Sequence, residues 1–261
     1  MYYDVSKLVN GATRQKLTQA DMRKMKIPLR DESEQLKVVS ILDSVFDQIN
    51  LYQKWIDMLD DLVKSRFVEM FGEQQYPEYE LGSRLKTTSG GTPSRKHPEY
   101  FDDGNIPWLT SGEVNKGTIT EPENFITALG LENSSAKLTP ANTVVVAMYG
   151  ATAGQVGIVE YETTTNQAVC CIAPTNDFEP VFLRFALESK KSWMINQCSG
   201  GAQPNISQGV IKKVLIPDVP IGLQKEFAAF VTQVDKSEFA VQQAIEQLET
   251  LKASLMQEYF G

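Results

Sequence analysis

Residues 204–219 read PNISQGVIKKVLIPDV, and residues 15–30 read QKLTQADMRKMKIPLR. Aligned without a gap, the two segments place Pro28 opposite Pro217, 189 positions away. The same offset aligns further identical residues, namely Gln19 with Gln208, Lys24 with Lys213, Gln35 with Gln224, Leu59 with Leu248 and Phe71-Gly72 with Phe260-Gly261. A single offset that persists this far along the chain indicates an internal repeat, so we expect two copies of one structural unit.

In both copies a long heptad-patterned segment follows the Ile-Pro pair. Its apolar residues alternate in spacings of three and four, which is typical of a coiled coil. Asp31 and Glu34 predict a capping box at the start of the first helix, and Gly72 stands where a terminating glycine belongs. We therefore expect two long helices that pair as an antiparallel coiled coil. The predicted pairing residues are Val45, Ile49, Tyr52, Ile56, Leu59 and Val63 on the first helix and Val234, Val241, Ile245, Leu248 and Leu255 on the second.

Between the two helices the pattern changes to short apolar runs separated by Gly, Thr, Ser, Asn and Pro. Thr143–Ala147 and Val156–Val159 are predicted strands, and 180–194 is predicted as one amphipathic helix. The predicted fold class is therefore α+β, with one mixed α/β globular domain inserted between the helices. The predicted boundaries are 1–30 for the end of a preceding domain, 31–72 for the first helix, 73–218 for the globular domain and 219–261 for the second helix.

Composition excludes several protein classes. No apolar run approaches the roughly 20 residues of a membrane helix, and the N-terminal residues lack the pattern of a secretory signal. Three cysteines are too few for a disulfide framework, so we expect a reduced, cytoplasmic protein without membrane association. The net charge of −8 argues against indiscriminate nucleic-acid binding.

The sequence contains few residue patterns that could form a catalytic site. His97 is the only histidine and sits in a polar loop, which disfavours histidine-based metal sites and a catalytic triad. The glycine-rich segment 150–157 matches neither a P-loop nor a dinucleotide fingerprint, and a tight turn between strands explains it better. We predict no catalytic residue, no metal and no cofactor bound by this chain.

Five motif-bearing segments, which we call the signature segments, are rich in hydrogen-bonding residues. They are SGGTPS (89–94), IPWLTSGEV (106–114), YGATAGQVG (149–157), TNQA (165–168) and QPNIS (203–207). Thr, Ser, Asn and Gln side chains read base edges, and Arg and Lys contact phosphates. Turns in any protein favour such residues, so composition alone leaves DNA reading as one option among several.

The order of these segments, together with the repeat, resembles the specificity subunit of type I restriction–modification enzymes over nearly the whole chain. The resemblance implies a target recognition domain that reads one half of a split site in double-stranded DNA. It also implies helices that space two such domains and dock methyltransferase subunits, with S-adenosylmethionine and ATP bound by the methyltransferase and the restriction/translocase subunits. The predicted DNA-binding residues are Ser89, Thr92, Ser94, Arg95, Lys96, Thr110, Ser111, Tyr149, Thr152, Asn166, Gln167, Gln203 and Asn205.

The chain departs from that family in having one recognition domain where a complete subunit has two. It is therefore expected to be a fragment or a half-length form, and a second copy of itself is among the expected partners. Because the chain is acidic, we expect it to bind DNA weakly alone, with the partners supplying positive charge.

Two other functions stay open at this point. The first is a coiled-coil adaptor without DNA binding, for which an exposed Trp55 would mark a docking face. The second, less favoured, is a hydrolase that uses His97. Lys86 and Lys116 are secondary candidates for phosphate contacts.

Overall fold

The computed structural model describes residues 17–23, 30–72, 76–198 and 205–260. Within these ranges the chain forms two compact units. The helical unit comprises the described parts of Met1–Leu62 and Gln233–Gly261, and the globular unit comprises those of Val63–Thr232. The α-helices are α1 (Gln19–Met22), α2 (Glu32–Phe67), α3 (Leu81–Arg84), α4 (Ala128–Glu132), α5 (Pro180–Ser189), α6 (Lys191–Asn196), α7 (Gln208–Lys212) and α8 (Ile221–Phe260).

Helix α2 begins where the capping pattern predicts. The Asp31 carboxylate accepts a hydrogen bond from the Glu34 N–H at 2.9 Å, which satisfies one of the free donors at the helix start. Hydrogen bonding to Glu34 and Ser33 lowers the pKa of Asp31. The helix is 36 residues long, about 54 Å at 1.5 Å per residue, and it ends in a five-residue π-helical turn, Val68–Gly72.

Helices α2 and α8 pair in opposite directions in the helical unit. Near the start of α2, the Arg30 guanidinium donates to the Tyr259 carbonyl at 3.2 Å, at the far end of α8. Further along α2, the Phe46 ring lies 5.2 Å from Lys252 Nζ. Residues later in α2 therefore contact residues earlier in α8, so the two helices are antiparallel.

The internal repeat is visible in the structure. Thr18 caps α1 by accepting from the Asp21 N–H at 3.2 Å. Ser207 caps α7 in the same way, accepting from the Val210 N–H at 3.2 Å. The offset of 189 positions relates Thr18 to Ser207 and Asp21 to Val210. Helices α1 and α7 are therefore the same element of the repeat in its two copies.

Ten short strands build three sheets in the globular unit. They are β1 (Glu78–Glu80), β2 (Thr87–Ser89), β3 (Ile106–Leu109), β4 (Thr118–Ile119), β5 (Phe125–Ile126), β6 (Thr143–Ala147), β7 (Val156–Val159), β8 (Thr164–Thr165), β9 (Val169–Ile172) and β10 (Leu215–Pro217). The largest sheet has the order β2-β9-β6-β7-β4, a second has the order β5-β3-β8, and β1 pairs antiparallel with β10. The pairs β4–β7 and β3–β8 are parallel, so the two larger sheets are mixed.

Strands β6, β7 and β9 are buried along their whole length, which explains their continuous apolar runs. The two strands predicted from sequence, Thr143–Ala147 and Val156–Val159, are confirmed with those bounds. The predicted fold class is confirmed as well, with a mixed α/β unit between two long helices in the sequence.

The ends of both long helices belong to the globular unit because of their aromatic residues. Phe67 and Phe71 from the end of α2 pack with Phe182 and Phe185 of α5 and Phe227 of α8, with ring centroids 5.1 to 6.1 Å apart. The predicted borders at 72/73 and 218/219 stay sequence-based predictions, and the compact unit extends beyond both.

The segment 180–194 forms two helices and not the predicted single one. The backbone of Lys190 leaves the helical region, with φ −98° and ψ 7°, and separates α5 from α6. None of the helices in the described ranges has the length and hydropathy that a bilayer span requires.

Candidate nucleic-acid interface

The signature segments, far apart in the sequence, are hydrogen-bonded to one another in the globular unit. The Gly91 N–H donates to the Thr165 carbonyl at 2.9 Å, and the Trp108 indole N–H donates to the Gly91 carbonyl at 3.0 Å. The Asn166 N–H donates to the Leu109 carbonyl at 3.0 Å. These bonds join the first, second and fourth signature segments.

The third and fifth signature segments attach through Met148. Its N–H donates to the Ala168 carbonyl at 2.8 Å, and its carbonyl accepts from the Ile206 N–H at 2.8 Å. Tyr149 and Asn205 form an antiparallel bridge beside these bonds. All five segments are therefore parts of one connected structure, although residues 199–204, including the predicted contact Gln203, lie outside the described residues.

Two glycines permit the closest approach between segments. A Cβ on Gly90 would lie 1.8 Å from the Thr165 carbonyl oxygen, and a Cβ on Gly91 would lie 2.0 Å from Ser135 Oγ. No side chain fits at either distance, so the SGGTPS loop depends on glycine for its contact with TNQA and with the turn at Ser135.

A buried carboxylate fixes the WLTSG turn. Glu113 is 3% exposed, and its Oε1 accepts from the Thr110 N–H (2.9 Å), the Thr110 hydroxyl (3.0 Å) and the Asn124 amide (3.1 Å). Nearby, burial together with the negative charge of Glu113 raises the pKa of Tyr161 to about 12. The Thr110 side chain, predicted as a DNA contact, is thus bound to Glu113 inside the protein.

Other predicted DNA contacts also have internal partners. The Thr92 hydroxyl donates to the Gln167 amide oxygen at 2.6 Å. The Asn166 side-chain oxygen accepts from the Ala168 N–H at 3.0 Å, which closes a turn. The first bond joins two signature segments, and the second stabilises the turn within one of them.

The remaining predicted contacts have no side-chain partner among the described residues. Ser94, Arg95 and Lys96 lie exposed in a turn that is closed by the His97 N–H donating to the Ser94 carbonyl at 3.1 Å. Tyr149 and Asn205 are also exposed, and the half-buried members of this group are Ser89, Ser111 and Thr152.

His97 is exposed and its Nδ1 lies 2.9 Å from the Glu99 carboxylate, while its ring stacks on Tyr100. It has no nucleophile beside it in these contacts, so the hydrolase alternative gains no support from its surroundings.

Ion pairs divide the cations of the globular unit into two groups. Paired cations are Arg66 with Glu69 and Glu226, Arg84 with Asp218, Lys116 with Glu123, Arg184 with Glu188 and Lys190 with Glu78. Cations without an ion pair to any described carboxylate are Lys86, Arg95, Lys96, Lys137, Lys191, Lys212, Lys213 and Lys225. Lys116 is therefore a poor candidate for DNA contact, since Glu123 binds it and raises its pKa.

Sequence reasoning missed two unpaired cations beside the signature segments. Lys137 follows the turn whose Ser135 abuts Gly91, and the stem of Lys191 packs near Gly154, 3.0 Å from where its Cβ would be. Neither lies in a recognisable motif, and only the fold brings them to this position.

In the helical unit, the predicted pairing residues form an apolar seam. Val45, Ile49 and Ile245 are buried in one cluster, and packed against it are Tyr52, Ile56, Val241, Leu248 and Leu255. Val234 is also buried and Leu59 is half-buried, whereas Val63 is buried within the globular unit. Trp55 stays outside the seam and is 46% exposed.

Comparison with known proteins agrees with this architecture. The type I restriction enzyme EcoR124I/EcoR124II specificity subunit of Escherichia coli is 23% identical over 239 residues, which cover 85% of this chain and 58% of that protein. The type I restriction-modification system S subunit from M. genitalium has a TM-score of 0.61 at 17% identity, over 98% of this chain and 69% of that one. A chain solved in work on complex assembly and conformational transition of the type I R-M system has a TM-score of 0.68 at 16% identity. The match covers 98% of this chain and 66% of that chain.

At these identities the solved structures establish a shared fold. The chain spans little more than half the length of the curated relative it matches. Residues 74–250 match the family model described as the type I restriction modification DNA specificity domain. Since that match covers more than half of the chain, this protein belongs to the type I restriction modification DNA specificity domain family.

Proposed function

We propose that this chain is a non-catalytic, sequence-specific DNA recognition component of a type I restriction–modification system. The observation that carries the proposal is the convergence of the five signature segments into one hydrogen-bonded structure, in a chain that belongs to the DNA specificity domain family. A rigid support with exposed polar loops is the arrangement that base readout requires.

The signature residues have two roles in this proposal. Thr92, Thr110, Asn166 and Gln167 hold the loops in place through internal hydrogen bonds. Thr92 binds Gln167, Thr110 binds the Glu113 carboxylate and Asn166 binds the backbone of Ala168. Base contacts come from the residues without internal partners, namely Ser89, Ser94, Ser111, Tyr149, Thr152 and Asn205. Arg95 and Lys96, with Lys137 and Lys191, contact phosphates and set the position of the duplex.

The helical unit spaces recognition domains and docks the methyltransferase. Helix α2 is about 54 Å long, more than the roughly 34–36 Å of one DNA turn that separates half-sites in many dimeric DNA-binding proteins. Besides Trp55, the exposed large apolar residues Leu36, Leu51, Met58 and Leu62 give α2 a second apolar surface outside the seam. Such a surface favours a protein partner over solvent.

The complete assembly follows from this division of labour. Methyltransferase subunits carry S-adenosylmethionine, restriction/translocase subunits use ATP, and the second half-site is read by another recognition domain or by a second copy of this chain. The methylation reaction of this assembly takes place on cellular double-stranded DNA in the cytoplasm.

The test is co-expression of this chain with a cognate methyltransferase subunit, followed by mapping of methylated adenines across host DNA by single-molecule sequencing. We expect a split motif with a fixed gap, which is symmetric if two copies act together. The Tyr149→Phe and Ser111→Ala variants should relax or change single positions of the motif, while Lys116→Ala serves as a control that leaves it intact.

The adaptor alternative gives a different result. A stable complex with the methyltransferase that methylates DNA without any sequence motif would contradict DNA reading by this chain and leave the coiled-coil adaptor. If the complex does not methylate DNA, a second recognition domain is added to the assembly, and absence of a split motif there would contradict DNA reading as well. Trp55→Ala tests docking separately, since it should weaken complex formation without altering the motif.

A further inference from the structure

Three lysines without ion pairs lie where α3 and α7 meet, outside the signature segments. Lys212 and Lys213 end α7, and Lys86 follows α3 by two residues; all three are exposed. Helices α3 and α7 touch closely, because a Cβ on Gly82 would lie 2.7 Å from Lys212 Cβ. We call these three residues the lysine edge.

Backbone and side-chain hydrogen bonds keep the lysine edge together. The Leu81 N–H at the start of α3 donates to the Val214 carbonyl just after α7, at 2.9 Å. The Thr87 hydroxyl, next to Lys86, bonds to the side-chain oxygen of Gln208 at 3.3 Å. The three positive charges are thus presented by a fixed scaffold.

No carboxylate in the described part of the chain forms an ion pair with these three lysines. The Arg84 guanidinium donates two hydrogen bonds, of 2.7 and 2.8 Å, to the Asp218 carboxylate, and this pairing lowers the pKa of that carboxyl. Glu78 is paired with Lys190. Among the described residues, Glu80, exposed before α3, and Asp177, whose charge acts on Arg84, are further acids here, and neither forms an ion pair with Lys86, Lys212 or Lys213. The three lysines therefore outnumber these two acids within an acidic protein.

The lysine edge adjoins the signature segments. Thr87 begins β2, which leads directly into Ser89, and Ser207 at the end of QPNIS caps α7. Ser89 pairs with Cys170 across β2 and β9. The residues on both sides of the lysine edge thus continue directly into signature segments.

The repeat retains this charge. Lys212 and Lys213 align with Arg23 and Lys24 of the first copy, so both copies carry two consecutive cations after the capped helix. After the glutamine that begins both helices, the residues differ, with Ala-Asp-Met in α1 and Gly-Val-Ile in α7. A cation pair that survives while its neighbours change indicates a role for the charge itself.

We propose that Lys86, Lys212 and Lys213 form a phosphate-contact site for the DNA backbone that adds affinity without adding sequence preference. The inference rests on the proposed function. A lysine ammonium suits this role because it is an exposed, mobile point charge and does not need the fixed geometry of base readout.

The test measures binding of the full chain to a fluorescent duplex of mixed sequence by anisotropy, from about 20 to 200 mM salt. Each lost phosphate contact lowers the slope of log K against log salt by about 0.9. For Lys212→Ala/Lys213→Ala we expect the slope to fall by about 1.8. Raising salt from 50 to 200 mM would then weaken the wild type roughly tenfold more than this variant.

Two controls accompany the double variant. Lys116→Ala removes an exposed lysine that Glu123 already neutralises, so its slope should match the wild type. Lys212→Arg/Lys213→Arg keeps both charges and should also retain the slope. Thermal unfolding of all variants checks that the fold is intact.

The outcomes separate the two proposals. Wild-type binding with an unchanged slope in the double alanine variant would overturn the phosphate site and leave the proposed function standing. A change in the methylated motif of the double variant would overturn its sequence independence. If the wild-type chain shows no salt-dependent binding and no methylated motif with its methyltransferase, the proposed function fails, and the lysine edge fails with it.

Discussion

Replacement by alanine should destabilise the protein at Gly90 and have little effect at Gly112, although both glycines lie in signature segments. Gly90 and Thr165 are both buried, and a Cβ on Gly90 would lie 1.8 Å from the Thr165 carbonyl oxygen. The two segments must then separate by more than 1 Å, roughly, to reach ordinary contact, which breaks the 2.9 Å bond from the Gly91 N–H. Overpacking costs about 1–3 kcal/mol and the lost hydrogen bond about 1 kcal/mol, so Gly90→Ala should destabilise the globular unit by about 2–4 kcal/mol.

Gly112→Ala is the matched control. Gly112 has helical dihedrals, φ −64° and ψ −29°, and the nearest atom to its Cβ position is Thr110 Oγ1 at 3.8 Å. Alanine fits there, and it restricts the unfolded chain, so stability should stay within about 1 kcal/mol of the wild type.

Calorimetry and near-ultraviolet circular dichroism measure the difference. At about 2–4 °C for each kcal/mol in a unit of this size, Gly90→Ala should lower Tm by about 5–15 °C, whereas Gly112→Ala should leave it nearly unchanged. Equal Tm values for Gly90→Ala and the wild type would refute the assigned packing of SGGTPS on TNQA, and so would an equal loss in both variants.

Three further predictions concern other parts of the chain. Glu113→Ala removes the acceptor of three hydrogen bonds and should cost about 2–4 kcal/mol in urea unfolding, with Glu113→Gln less harmful; a change below about 0.5 kcal/mol would contradict this. Ile245→Ala should destabilise the helix pair by about 2–4 kcal/mol in thermal unfolding, while Phe239→Ala, 65% exposed, should change little; similar losses in both would argue against the seam. Because burial raises the pKa of Cys170 to about 12 and of Cys171 to about 11, neither thiol should react with iodoacetamide at pH 8 until the protein unfolds, and mass spectrometry that finds either labelled in the folded protein would disprove the burial.

Periodic features were predictable from the sequence. The heptads of α2 and α8 carry their own register, so Val45, Ile49 and Ile245 were identified before any contact was known, and the structure packs them in one cluster. The buried strands β6 and β7 were recognisable because both of their faces are apolar. Local chemistry also sufficed for the Asp31 cap.

Long-range pairing was not predictable. Thr92 and Gln167 are 75 positions apart, and nothing in either segment shows that their side chains bind each other. Thr110 and Glu113 are close in sequence, yet the bond between them depends on burial of Glu113 in the folded unit. Polar residues in a loop therefore look alike in the sequence whether they face a ligand or support the loop.

The pairing of β1 with β10 has an evolutionary consequence. The register joins Glu78 to Pro217 and Glu80 to Leu215, so the two ends of the segment 78–217 lie side by side within the globular unit. The chain segment between these two strands therefore begins and ends at neighbouring positions. Under the proposed function, recombination that exchanges this segment and preserves the strand pair would give the same helices a new recognition surface. A lineage would then acquire a new target in one genetic event instead of many point mutations.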